Sequence, residues 1–252
     1  MASHFSDIGF NADSDEEIMS LLRQAAQEGQ PVESTNGHYL FWSPEEGIQL
    51  WLQVDPEGTV IGFNPHLAGK GRIRAALTEE QPEPDMTMEG GFHAWADPSG
   101  ESPDTGAYPF LFDMPDYDRY RGHLALPQTV NTQIAAFAHE LYSFADEDAY
   151  ASFQRENDLR FTPESFVSSG LLIASEAKTE ERPEATAVFT GRVLETERRT
   201  NPTSGRPFYH LHVRTLGGTF DVAADPDIIQ GEPVPGGIVQ GSFWLSGRII
   251  DS

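Results

Sequence analysis

The stretch PFYHLHVRT, residues 207–215, sets His210 and His212 two positions apart in what reads as a β-strand. Strand side chains alternate, so imidazoles at i and i+2 share a face and can reach one ion. Tyr209, Leu211 and Val213 form the apolar alternation, which should face a core. Phe208, His210, His212 and Arg214 form the wetter one. The preceding strand offers Glu195 and Glu197 in one alternation and Arg192 in the other, so a carboxylate could complete a metal site. Against a metal stand Phe208 and Arg214, an aromatic and a cation that suit an anionic or planar partner better. The expectation is a metal-free, partly exposed strand face that contacts a partner.

Six further histidines are spread along the chain. His66, His93 and His139, with Glu140, make an alternative metal set, since neutral imidazoles and a carboxylate bind Zn²⁺ or Fe²⁺ and leave positions open for chemistry. None of them has the spacing of two ligands on one helix turn, so only tertiary folding could assemble the set. Trp51 and Trp95 are candidate contact residues, because an aromatic on the polar side of a strand lines a pocket or is covered by another segment. AGKGR (68–72) places a lysine and an arginine among glycines and could touch an anion, though it reads first as a surface turn. No glycine-rich nucleotide fingerprint is present, and neither SSG nor LSG is the flanked serine of a nucleophile elbow. Asp113, Asp116 and Asp118 read as a solvated turn. No cofactor is expected.

The net charge of −24 is uneven. Residues 182–252 carry seven basic and eight acidic side chains; residues 1–181 carry nine and thirty-two. The first part should repel nucleic acid and anionic membrane. The chain has no cysteine, hence no disulfide and no thiolate ligand. No apolar run is long enough to cross a membrane as a helix, and the first residues lack the pattern of a secretory leader. A cytoplasmic setting is the simplest reading. Arginine in place of lysine at fourteen of sixteen basic positions points to a GC-rich bacterial genome.

Ser14 and Glu17 form a capping box, Ile18, Leu21, Leu22 and Ala25 follow at helical spacing, and Gly29 stops the run. A helix over 14–28 is therefore expected. HYLFWS, GIQLWLQV and TVIGF read as strands, and with HFSDIGF as a leading strand the order resembles one module of the vicinal-oxygen-chelate (glyoxalase-like) fold over residues 3–69. That resemblance implies a metal-dependent enzyme acting on a small polar molecule. GGFHAWA and YPFLFDM read as strands in a loop-rich stretch. NTQIAAFAHELYSF fits helix or strand, and the acid-started helix after it favours strand. SEAKTEERPEA (175–185) reads as a linker. Beyond it, three meandering strands, with Gly191 at an expected bulge, and a closing GIVQGSFWLSGRII resemble a small OB-like barrel that lacks a clear fifth strand.

The fold expected is α+β: a mixed or antiparallel N-terminal sheet with about two helices, then a β-rich, OB-like part. Two domains, 1–175 and 185–252, or one continuous domain fit this pattern. The leading functional reading is a non-catalytic binding protein with a protein or small-molecule partner. The metal enzyme is the alternative.

Overall fold

The structure, a computed structural model, describes residues 4–100, 105–172 and 183–250. It is mostly β-sheet with a few helical segments, α+β overall. Helix α1 (Asp15–Glu28) begins where Ser14 Oγ accepts the Glu17 N–H at 3.3 Å, while Glu17 reaches back to the Asp13 N–H at 3.0 Å. Three acids in its first turn favour the positive end of the helix dipole. Leu21 and Ala25 are buried, with Ile18 and Leu22 at the margin of the same stripe. HFSDIGF is not a strand. It holds a 3-10 turn, Ser6–Ile8, ended by Gly9 at φ 73°, and residues 6–10 are all buried, without the alternation a half-covered strand would give.

Strands β1 (Gln30–Glu33), β2 (His38–Glu45), β3 (Ile48–Val54) and β4 (Val60–Leu67) follow as an antiparallel meander. The two faces of β3 have different apolar and polar content, yet both are buried. Ile48, Leu50 and Leu52 pack with Leu21 and Ala25 of α1. On the other face Trp51, 3% exposed, lies against Tyr39 and Phe41, with the Arg248 guanidinium 4.6 Å from its ring centre.

The second sheet comprises β5 (Ile73–Pro82), β6 (Gly90–Ala96), β7 (Pro109–Asp113), β8 (Gln128–Phe144), β9 (Ser165–Val167), β10 (Thr186–Thr200), β11 (Pro207–Thr215), β12 (Gly218–Ala224), β13 (Ile229–Gln230) and β14 (Ile238–Ile250), with α2 (Glu147–Glu156) after β8. Strands β10, β11 and β12 are a meander; β12 runs parallel to β8, β8 antiparallel to β14, and β14 antiparallel to β10. These five pairings close a ring. The strand that the C-terminal pattern lacked is β8, contributed from before the expected boundary. The first part of β8 also pairs with β5, and the end of β14 meets β7, so β8 and β14 are shared by the β5–β7 meander.

Strand β8 was ambiguous in sequence because it is buried on both faces. Ile134, Ala136, Ala138 and Leu141 join the large core, while Ala135 and Phe137 join the core under α1 and β3. A strand covered on both sides loses its alternation. Strands from both sides of 175–185 thus share one sheet and one large core. Most of the expected linker, residues 175–182, lies outside the described residues.

Two outcomes follow from this packing. Leu21→Ala should lower the unfolding free energy by about 2–5 kcal/mol in a denaturant titration, whereas Met19→Ala, on the exposed face, should change it by under about 0.5 kcal/mol. Asp7, in the 3-10 turn, is fully buried; burial drives its carboxyl well above the usual range, against the Asp225 N–H it accepts. A raised acid favours the fold below its unfolded pKa and loses that contribution as pH rises through the folded value. Asp7→Asn should therefore raise the melting temperature at neutral pH, with the gain fading as the pH is lowered toward the unfolded pKa of about 4.

Candidate functional site

Whether the acids of β10 meet the histidines of β11 is decided by one residue. Val193 pairs with Val213, but Glu195, not Leu194, pairs with His212, and Glu197 pairs with His210. Leu194 is the extra residue of a β-bulge. Without it, the alternation would turn Glu195 and Glu197 into the barrel and Leu194 and Thr196 outward. The bulge, three residues after the Gly191 expected from sequence, puts two carboxylates and two imidazoles on one outer face.

That face is the wall of a cleft of about 280 Å³, lined by Lys70, Glu195, Glu197, His210, His212 and Asp221 among others. A neighbouring depression of about 530 Å³ shares Lys70, Glu197 and His210 and extends to Glu45, Glu46 and Arg199. Lys70 crosses the mouth with its ammonium 2.5 Å from Glu195, which holds the Glu195 carboxyl below and the Lys70 amine above their ordinary ranges. His212 Nε2 is buried and hydrogen-bonded to nothing among the described residues.

The floor is Asp221, fully buried in β12. Its Oδ1 accepts from the Lys70 N–H at 3.1 Å and His210 Nε2 at 2.9 Å; Oδ2 accepts from the Gly71 N–H at 2.8 Å and Gln133 Nε2 at 2.7 Å. Burial would raise this carboxyl, but its donors, His210 first, hold it below the ordinary range. AGKGR does touch an anion, and the anion belongs to the chain itself. A Cβ on Gly69 would stand 2.2 Å from Asp221 Oδ1, and one on Gly71 2.8 Å from Oδ2. Only glycine lets the loop wrap the carboxylate so closely.

Behind Asp221 the network continues inward. Gln133 Nε2 donates to Asp221 and to the Leu67 carbonyl, so its Oε1 accepts, at 2.7 Å, from His66 Nε2. His66 Nδ1 then takes the Ser246 hydroxyl at 2.9 Å. Burial, helped by the Arg248 charge, pushes the His66 imidazole down to about 4. It is neutral and spoken for at both nitrogens.

The alternative metal set is not assembled. His66 is sealed in this network, His93 Nδ1 meets Thr78 Oγ1 at 2.7 Å, and His139 lies beside His4, their ring centres 5.4 Å apart, while Glu140 follows a register shift of β8 at His139 and is exposed. Among the described residues no three His, Asp or Glu side chains converge on one ion position. Phe208 is fully buried against Ile8 and Phe10, so it belongs to the core and not to the wet face. Tyr209, Leu211 and Val213 do turn toward the large core. Arg214 is drawn off to Glu164 at 2.9 Å. Trp51 is covered, and Trp95 is half-buried on β6, outside the cleft.

A second cleft of about 390 Å³ gathers His4, stacked on Trp244 at 4.4 Å, with His139, Asp113 and Glu184. Sequence reading missed Gln133 and Asp221, and took Lys70 first as part of a surface turn. The available signals were the glycine spacing of AGKGR and a lone aspartate inside the apolar TFDVAA.

No family model, no curated protein and no solved structure matches the chain. The site is therefore judged on its own chemistry.

Asp221→Asn replaces one acceptor oxygen by a donor and leaves two N–H groups facing it. The loss should be about 2–3 kcal/mol in denaturant at neutral pH. A depressed carboxyl contributes stability above its unfolded pKa and loses it as pH falls through the folded one, so the gap between variant and wild type should close in acid.

Proposed function

We propose that the protein is a non-catalytic binding protein that holds a small polar molecule in the cleft between β10, β11 and the 68–72 loop. The observation that carries this reading is the set of cleft side chains with bonding capacity left over. His212 Nε2 is buried without a protein partner, and buried polar atoms are rarely left so. His210 is fixed in place by a carboxylate that has no other exposed task.

Catalysis has less support. His210 and His212 are hydrogen-bonded to no hydroxyl among the described residues, and the serine that does meet a histidine, Ser246, is fully buried. Nucleic acid is disfavoured as a partner, since Glu195 and Glu197 border the cleft and the whole chain is strongly acidic. The five-strand ring supports the OB-like reading, and the absence of cysteine fits a cytoplasmic setting. No helix is long and apolar enough to cross a membrane.

The test is a screen of small polar metabolites by ligand-observed NMR against the full chain. Bound compounds should move the His210 and His212 ring signals, lose binding in His212→Ala, and be recovered unchanged. Chemical conversion of a bound compound would show that the site is an active site.

A further inference from the structure

Taking the cleft as the binding site, we infer that its ligand is a small organic cation carrying several N–H groups, such as an alkyl diamine or a guanidinium compound. The argument is a count of donors and acceptors around the wall. Glu195 and Glu197 are acceptors only. His210 gives its Nε2–H to Asp221, so in the neutral ring the remaining nitrogen, Nδ1, is an acceptor too. Asp221 contributes no free lone pair directed outward, because four N–H groups already take both oxygens. The one Lys or Arg on the wall is Lys70, and its ammonium is engaged with Glu195; His212 adds one donor or one acceptor at its unpartnered Nε2, according to tautomer.

The wall therefore asks for positive charge and N–H groups. An anionic guest, or a neutral one without donors, would leave acceptors facing acceptors, and a neutral donor would leave the two carboxylate charges unmet.

A bare metal ion fits less well than an extended cation. No three donors converge on one position. Residues two apart on a strand stand about 6.5–7 Å apart, so Glu195 and Glu197 match two N–H groups on one molecule better than one ion. The cleft of about 280 Å³ accepts a molecule of that size. The Lys70 ammonium on Glu195 shows that this carboxylate already receives an alkylammonium, held on a flexible and largely exposed side chain that an incoming ligand can displace. The net charge of −24 adds a long-range pull on cations.

Calorimetry on the full chain with putrescine and agmatine, against succinate and 1,4-butanediol as anionic and neutral controls of similar length, tests this. Imidazole NMR of His210 and His212 is read in parallel. The cations should bind, and the affinity should fall with ionic strength. Glu197→Gln should weaken binding about tenfold or more. Lys70→Met should strengthen it about two- to fivefold, because the internal competitor is gone. Both substitutions are at the surface of the cleft and should leave the melting temperature within a few degrees of wild type. Succinate or butanediol moving the two imidazoles while the cations do not would overturn the ligand class and keep the cleft as a binding site. Silence from all four compounds would overturn the inference. The binding role of the cleft is then judged separately by the wider metabolite screen.

Discussion

A carboxylate buried in the wall of a barrel is tolerated only if its charge is met by hydrogen bonds. Asp221 is such a group, and the chain meets it from three places: the 68–72 loop, Gln133 on β8 and His210 on the adjacent β11. The four donors come from three structural units. The N-terminal meander ends in the loop, the long shared strand supplies the amide, and the C-terminal meander supplies the imidazole. Satisfying one anion thus fixes how three units sit together, and the cleft is the opening left where they meet.

The second constraint is the parity of β10. An antiparallel pair without a bulge would have buried Glu195 and Glu197 in a core of Phe189, Phe220 and Phe243, at prohibitive cost. The extra residue at Leu194 resolves the conflict locally. It keeps Ala187, Phe189 and Val193 inward before the bulge and lets Thr196 face inward after it. Arg199, three residues further, lies over the buried Phe208 ring at 5.5 Å and is anchored to Glu45. The same parity change that protects the core builds the acidic wall.

Where each element could be read from sequence follows from how its faces are covered. Helix α1 was legible to its caps, because one face is dry and the other wet. The alternation of β11 was legible at Leu211 and Val213, yet Phe208 was misplaced: the outer face of the strand is wet at His210 and dry at its start, where the 3-10 turn covers it. Strand β5, IRAALTEEQP, was not recognised, since its inward alanines carry little apolar signal and its second half is polar. The candidate site was half legible. His210, His212, Glu195 and Glu197 could be placed near one another from strand order, but Gln133 and Lys70 reach Asp221 across 88 and 151 residues, separations that no local pattern encodes. The ambiguity of β8 had the same origin, a strand with no wet side.

The hydrogen bonds behind the cleft also have a direction. The Ser246 hydroxyl donates to His66, His66 to Gln133, and Gln133 to Asp221, so every donor in the chain points toward the same carboxylate. Bonds arranged head to tail polarise one another, which strengthens the hold on the negative charge. The chain carries no proton outward, because neutral His66 already uses both ring nitrogens. What leaves the network at the surface is the opposite branch, His210, whose N–H is committed inward. With the Nε2–H given inward to Asp221, the neutral ring of His210 turns its Nδ1 acceptor toward the cleft. The acceptor-rich character of the cleft is thus a consequence of how the interior is satisfied, and not only of the two glutamates on its rim.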